Sequence, residues 1–132
     1  MQIEPYLFFN GRCDEAIEFY RGALGAEVAM LIRYKDGPQP VSHGTEDKVM
    51  HAELRIGETT VLVSDGRCTG HLDFQGFALS LTVPNEADAE RLFAALADGG
   101  QVRTPLAKTF FSPRFGMLAD RFGVSWMIYV VP

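Results

Sequence analysis

The sequence predicts an α+β fold in which one strand–helix–strands unit is used twice. Two halves of the chain superpose at an offset of 73 positions, Pro5-Tyr-Leu-Phe-Phe-Asn10 on Ala78-Leu-Ser-Leu-Thr-Val83 and Phe19-Tyr20 on Leu92-Phe93. Each half holds one helical pattern among several strand patterns, so its helix covers a single face of its sheet. Strand alternation leaves the other face mixed: in 77–83, Leu79, Leu81 and Val83 meet the helix while Ala78, Ser80 and Thr82 point away.

In chain order, Gln2 to Asn10 is an apolar and aromatic strand pattern, followed by Gly11 and a helix beginning near Asp14. Asp14 and Glu15 suit the positive helix terminus, the stripe is Ala16, Ile17, Phe19, Tyr20, Ala23 and Leu24, and Gly25 stops it. Glu27 to Tyr34 reads as a strand, and 35–48 as a polar loop. Val49 to Ile56 and Thr59 to Ser64 are strands joined at Gly57-Glu58, before a polar connector over 65–76. Parity turns Ala52, Leu54 and Ile56 inward and leaves His51, Glu53 and Arg55, joined by Thr60, Leu62 and Ser64, on the other side. In the second unit Asn85 caps a helix with the stripe Ala89, Leu92, Phe93 and Leu96, which Gly99-Gly100 ends. After a short strand at 101–103 and a loop through Phe110-Phe111, 117–120 turns through Gly123 into the strand 124–131. That strand places Ser125, Met127 and Tyr129 on one side and Trp126, Ile128 and Val130 on the other. Two such sheets with mixed faces would enclose a cleft.

At 132 residues the chain suits one domain, 1–132, built of two modules, 1–65 and 77–132. With 47% hydrophobic and 22% charged residues it reads as a soluble globular protein, and no apolar run approaches the ~20 residues needed to span a bilayer. The start has no basic segment followed by an apolar one, so the expected location is the cytoplasm. A net charge of −5 excludes the basic footprint of nucleic-acid binding. Cys13 and Cys68 stand far apart and read as free thiols.

The layout resembles the vicinal oxygen chelate superfamily, the glyoxalase, bleomycin-resistance and extradiol dioxygenase relatives built of paired βαβββ modules. Pro5-Tyr-Leu-Phe-Phe-Asn-Gly, Ala16-Ile-Glu-Phe-Tyr, Leu24-Gly-Ala, Met50-His-Ala-Glu-Leu, Ser64-Asp65, Phe115-Gly-Met and Asp120-Arg-Phe-Gly-Val-Ser-Trp-Met-Ile are similar, in order, to the PhnB-type branch. Members of that branch often carry the label 3-demethylubiquinone 3-methyltransferase. The chain lacks the glycine-rich strand-to-helix turn of a Rossmann methyltransferase, so the label is not carried over as an activity. The resemblance implies a homodimer. It also implies four metal-ligand positions, which fall at Pro5, Ala78, Met127 and near Leu62, none of them suited to a divalent ion. The expectation is therefore no metal and no cofactor.

The candidate ligand-binding residues follow from the faces. His51 and Glu53, two apart on a strand, project from one side and could bind one polar ligand or share a proton. Ser80, Thr82, Ser125 and Tyr129 could hydrogen-bond a ligand in a pocket lined by Leu7, Phe9 and Met127. His43 and His71 read as solvent-exposed, although His43 with Glu46 and Asp47 could bind a metal adventitiously; Asp120 reads as a turn residue bonding local amides. The leading function is a protein of this superfamily that binds a small, partly apolar molecule. A metal-dependent lyase or dioxygenase using His51 and Glu53, and a drug-sequestering protein, are the alternatives.

Overall fold

The computed structural model describes residues 1–38, 40 and 43–132. The chain divides into two compact units, Met1–Leu72 and Asp73–Pro132. In the first, β1 (Tyr6–Phe8), α1 (Cys13–Leu24), β2 (Glu27–Arg33), β3 (Val49–Ile56) and β4 (Thr59–Ser64) build one helix and a sheet of order β1-β4-β3-β2. The second repeats this with β5 (Leu79–Val83), α2 (Glu86–Ala97), β6 (Gln101–Ala107), β7 (Phe115–Ala119) and β8 (Ser125–Val130), in the order β5-β8-β7-β6. In both sheets the first strand runs parallel to the last and the other pairs are antiparallel. Among the described residues no helix is long and apolar enough to cross a membrane.

Each helix sits where its sequence signals place it. The chain leaves α1 through Gly25 at φ +67°, whose N–H bonds Arg21 O while Ala26 N–H bonds Tyr20 O, the glycine-type C-cap. Asn85 caps α2 by accepting the Asp88 N–H at 2.8 Å. The α1 stripe of Ala16, Ile17 and Tyr20 is buried, with the Tyr20 ring tilted against Phe9, and so are Ala89, Phe93 and Leu96 of α2. Gly116 in β7 has to be glycine: a Cβ there would lie 2.7 Å from the Phe93 ring.

Three sequence expectations change. The first strand is short, because only Tyr6 to Phe8 pairs with β4, while β6 runs on to Ala107. It tolerates Pro105 because it is an edge strand whose ladder to β7 is interrupted twice. At the start of the expected loop 35–48, a turn of 3-10 helix takes Tyr34–Asp36, with Tyr34 leaving the preceding strand, and Lys35 N–H ties it back to Glu46 O; positions 39, 41 and 42 lie outside the described residues. Third, the helices repeat at the offset of 73 (Cys13 to Glu86), but the strands do not, since that offset lays inward Leu7 on outward Ser80. Three residues, Asn10, Gly11 and Arg12, separate inward Phe9 from α1, against two, Pro84 and Asn85, between inward Val83 and α2. Asn10 and Gly11 make the longer turn with positive φ, +46° and +113°.

Candidate functional site

The open face of the first sheet is assembled by cross-strand register. Tyr6 stands opposite Leu62, and Leu62 opposite Glu53. His51 lies two residues before Glu53 on β3, so the three side chains share one side. A hydrogen bond of 2.8 Å joins Tyr6 Oη and His51 Nδ1, with the rings 5.5 Å apart, and Phe8 stacks on Tyr6 at 4.9 Å. Burial pushes the Tyr6 phenol above its ordinary range, so it stays an O–H donor at neutral pH. In one tautomer Nδ1–H donates to the phenol oxygen; when the phenol instead donates to Nδ1, the neutral imidazole carries its proton on Nε2, which lies 4.0 Å from Glu53 Oε1. That is too long for a hydrogen bond, yet a ligand hydroxyl about 2.8 Å from both atoms would close the triangle, accepting from the imidazole and donating to the carboxylate.

Two predicted lining residues face elsewhere. Leu7 and Phe9 are 3% and 0% exposed and belong to the core beneath the sheet, so on this strand Tyr6 and Phe8, at 38% and 50%, take the open face. Pro5, the first implied ligand position, lies outside β1, whose open-face residues are Tyr6 and Phe8. The sequence offered little signal, because Tyr6-Leu-Phe-Phe9 is apolar at every position and alternation cannot tell its faces apart.

The second sheet presents Ser80 opposite Met127 and Thr82 opposite Tyr129, with Ser125 further along β8; the other side, Trp126, Ile128 and Val130, is buried. Phe115 and Met117 of β7 stand opposite Tyr129 and Met127 on the same face. Phe111 packs against Phe115 at 5.1 Å and lies nearly parallel to Tyr129 at 6.3 Å. At the other end Arg103 Nη1 donates to Ser125 Oγ at 3.0 Å. Arg103, Phe111 and Phe115 were not among the expected site residues. Arg103 sits beside an irregularity in the β6–β7 register, where simple alternation does not apply.

The remaining polar groups have structural tasks. Asp65, fully buried, accepts from the backbone N–H of Gly11, Cys13 and Val49, each at 2.8 Å, binding the start of α1 to β3. Asp120 accepts from Phe122 and Val124 N–H with one oxygen and from the Trp126 indole with the other. Cys13 is a buried free thiol, pushed far up by burial and then by the charges of Asp65 and Asp14; burial likewise raises Cys68. His43 and His71 are exposed.

The superfamily resemblance implies a divalent metal, which takes three or more donors from protein. Among the described residues no three His, Cys, Asp or Glu side chains come together. His51 Nε2 and Glu53 Oε1 are two donors 4.0 Å apart, fewer than the three protein ligands of a catalytic zinc site.

Comparison with known proteins places this geometry. Residues 1–129 match the family model described as 3-demethylubiquinone-9 3-methyltransferase. Protein YjdN of Escherichia coli (strain K12) is 33% identical over 141 residues, covering 99% of this chain and 96% of that protein. The crystal structure of protein PA1353 from Pseudomonas aeruginosa is 42% identical, with a TM-score of 0.87 over 99% of this chain and 98% of that one. A putative 3-demethylubiquinone-9 3-methyltransferase, PhnB protein, from Bacillus cereus is 28% identical, with a TM-score of 0.82 over 99% and 100%. The fold alone is shared with a glyoxylase/bleomycin resistance protein/dioxygenase domain from Frankia sp. EAN1pec, 16% identical, with a TM-score of 0.66 over 99% and 95%.

Proposed function

The chain belongs to the family described as 3-demethylubiquinone-9 3-methyltransferase, with the fold of the glyoxalase, bleomycin-resistance and dioxygenase proteins, and from that premise we propose that it binds a small, partly apolar molecule on its open sheet faces without the usual divalent metal. The observation that carries the reading is the Tyr6–His51 hydrogen bond beside Glu53. In the Nε2–H tautomer it leaves an imidazole N–H and a carboxylate oxygen spaced for one ligand hydroxyl, with the Phe8 and Tyr6 rings alongside as apolar surface. Ser80, Ser125, Met127 and Tyr129 supply the same mixture of polar and apolar groups in the second unit.

The family's description names a methyl transfer. Each sheet here is a mixed, four-stranded one with a single helix, unlike the doubly wound parallel sheet of a Rossmann methyltransferase, and methyl transfer is not part of the proposal. The superfamily resemblance also supports a homodimer, which light scattering of the purified protein checks by its mass.

A fragment screen read by thermal shift tests the binding. Hits carrying a hydroxyl on a planar apolar body are expected, and Tyr6→Phe and His51→Ala should each weaken them about tenfold or more. Unchanged affinity in both variants would remove the site. Stoichiometric Ni, Zn, Mn or Fe retained by the purified protein would overturn the metal-free part of the reading.

A further inference from the structure

Among the described residues, Arg103 is bound by a hydroxyl and not by a carboxylate. Six arginines, at 12, 21, 33, 91, 114 and 121, each have a carboxylate within ion-pair distance, as expected in a chain with 17 acidic and 12 basic residues. Among the described residues Arg103, like Arg55 and Arg67, has none, although it is exposed on an edge strand in an acid-rich protein. Its guanidinium is held across the strand by Ser125 Oγ at 3.0 Å, which brings it onto the open face of the second sheet. One N–H donor is used by that bond, and a guanidinium has five.

The same face ends in aromatic surface. Tyr129, Phe115 and Phe111 form one cluster, with Phe111 40% exposed. Tyr129 lies four residues beyond Ser125 on β8, about 13 Å along the strand at the usual rise. Met127 and Met117, directly opposite one another, occupy the interval, giving soft, adaptable apolar surface between the cation and the rings.

We infer that this face takes an elongated organic carboxylate, its carboxylate on Arg103 beside Ser125 and its planar apolar end on Phe111, Phe115 and Tyr129. The inference rests on the ligand binding proposed above for the face of Ser80, Ser125, Met127 and Tyr129, and names the class of ligand that this face takes. One guanidinium matches one monoanion. The planar fork suits the two oxygens of a carboxylate, and Ser125 fixes the fork beforehand, lowering the ordering cost of binding. The methionine-lined gap sets the length: a ligand whose acid and ring are directly joined reaches one end only.

The test is calorimetric titration of the full chain with phenylacetate, phenylbutanoate, phenylhexanoate and phenyloctanoate, and with their methyl esters. Affinity should rise along the acid series, and each ester of the longer members should bind about tenfold more weakly than its acid, the value of one charge-assisted pair. Arg103→Ala should weaken the acids by the same factor and leave the esters unchanged. Arg103→Lys should recover part of the loss, since it keeps the charge without the fork. Acids and esters that bind alike, with Arg103→Ala indifferent, would overturn the inference while leaving ligand binding intact. If none of the acids binds, the inference also falls; the broader reading falls with it only if the fragment screen is silent as well.

Discussion

Asp65 is the group whose removal the structure makes most consequential. Its Oδ1 accepts from Gly11 and Cys13 N–H and its Oδ2 from Val49 N–H, while its own N–H bonds Val49 O at 2.8 Å. The carboxylate thus ties together the start of α1, the start of β3 and the end of β4, three segments remote in sequence. In Asp65→Asn an amide nitrogen replaces Oδ2 and faces the Val49 N–H, so one charge-assisted bond is lost to a donor–donor contact. The two remaining bonds also lose their charge. At about 2 kcal/mol for the lost bond and about 0.5 to 1 for each weakened one, the cost is about 3 to 4 kcal/mol. Asp65→Ala leaves three amides without an acceptor and should cost about 5 kcal/mol. Urea unfolding followed by far-ultraviolet circular dichroism and by Trp126 fluorescence measures both variants, and Asp65→Asn should lower Tm by about 10 °C or more. Hydrogen exchange should accelerate first at Gly11, Cys13 and Val49. A loss below about 1 kcal/mol for Asp65→Asn would refute this account of the clamp.

Two further perturbations follow the same logic. Asp120→Asn turns an amide N–H toward the Trp126 indole N–H and should destabilise by about 2 kcal/mol with a shift in Trp126 emission; an emission spectrum and midpoint identical to the parent would contradict the hydrogen bond. The Cys13 thiol is raised in the folded chain, first by burial, so it stays neutral where the unfolded thiol, with an ordinary pKa of 9.0, ionises. Its contribution to stability is complete below about pH 9 and is lost as pH rises. Relative to Cys13→Ala, the parent's folding equilibrium should fall by about tenfold per pH unit above that point, and a difference independent of pH would show that the thiol is not held neutral.

How much of this could be read in advance depended on how locally each feature is encoded. The α2 cap needed only Asn85 and the stripe that follows it, and the faces of β8 needed only its own alternation, with Trp126, Ile128 and Val130 buried as the pattern says. His51 and Glu53 share a side because they are two apart on one strand. Tyr6 is different. Nothing in an unbroken apolar stretch says which way Leu7 points, and the one-residue difference between the two strand-to-helix turns shifted the comparison of the halves to the wrong parity.

Local periodicity carried the α+β class, the twofold use of one unit, the helix limits and the faces of β3, β5 and β8, because periods of 3.6 and 2 are written in consecutive residues. It takes the folded chain to bring Tyr6 to His51, 45 residues away, Asp65 back to Gly11, 54 residues away, and Arg103 across the sheet to Ser125. Those contacts come from strand register and from irregular positions, the Asn10-Gly11 turn and the interrupted β6–β7 ladder, where local periodicity carries no information about which side chains meet.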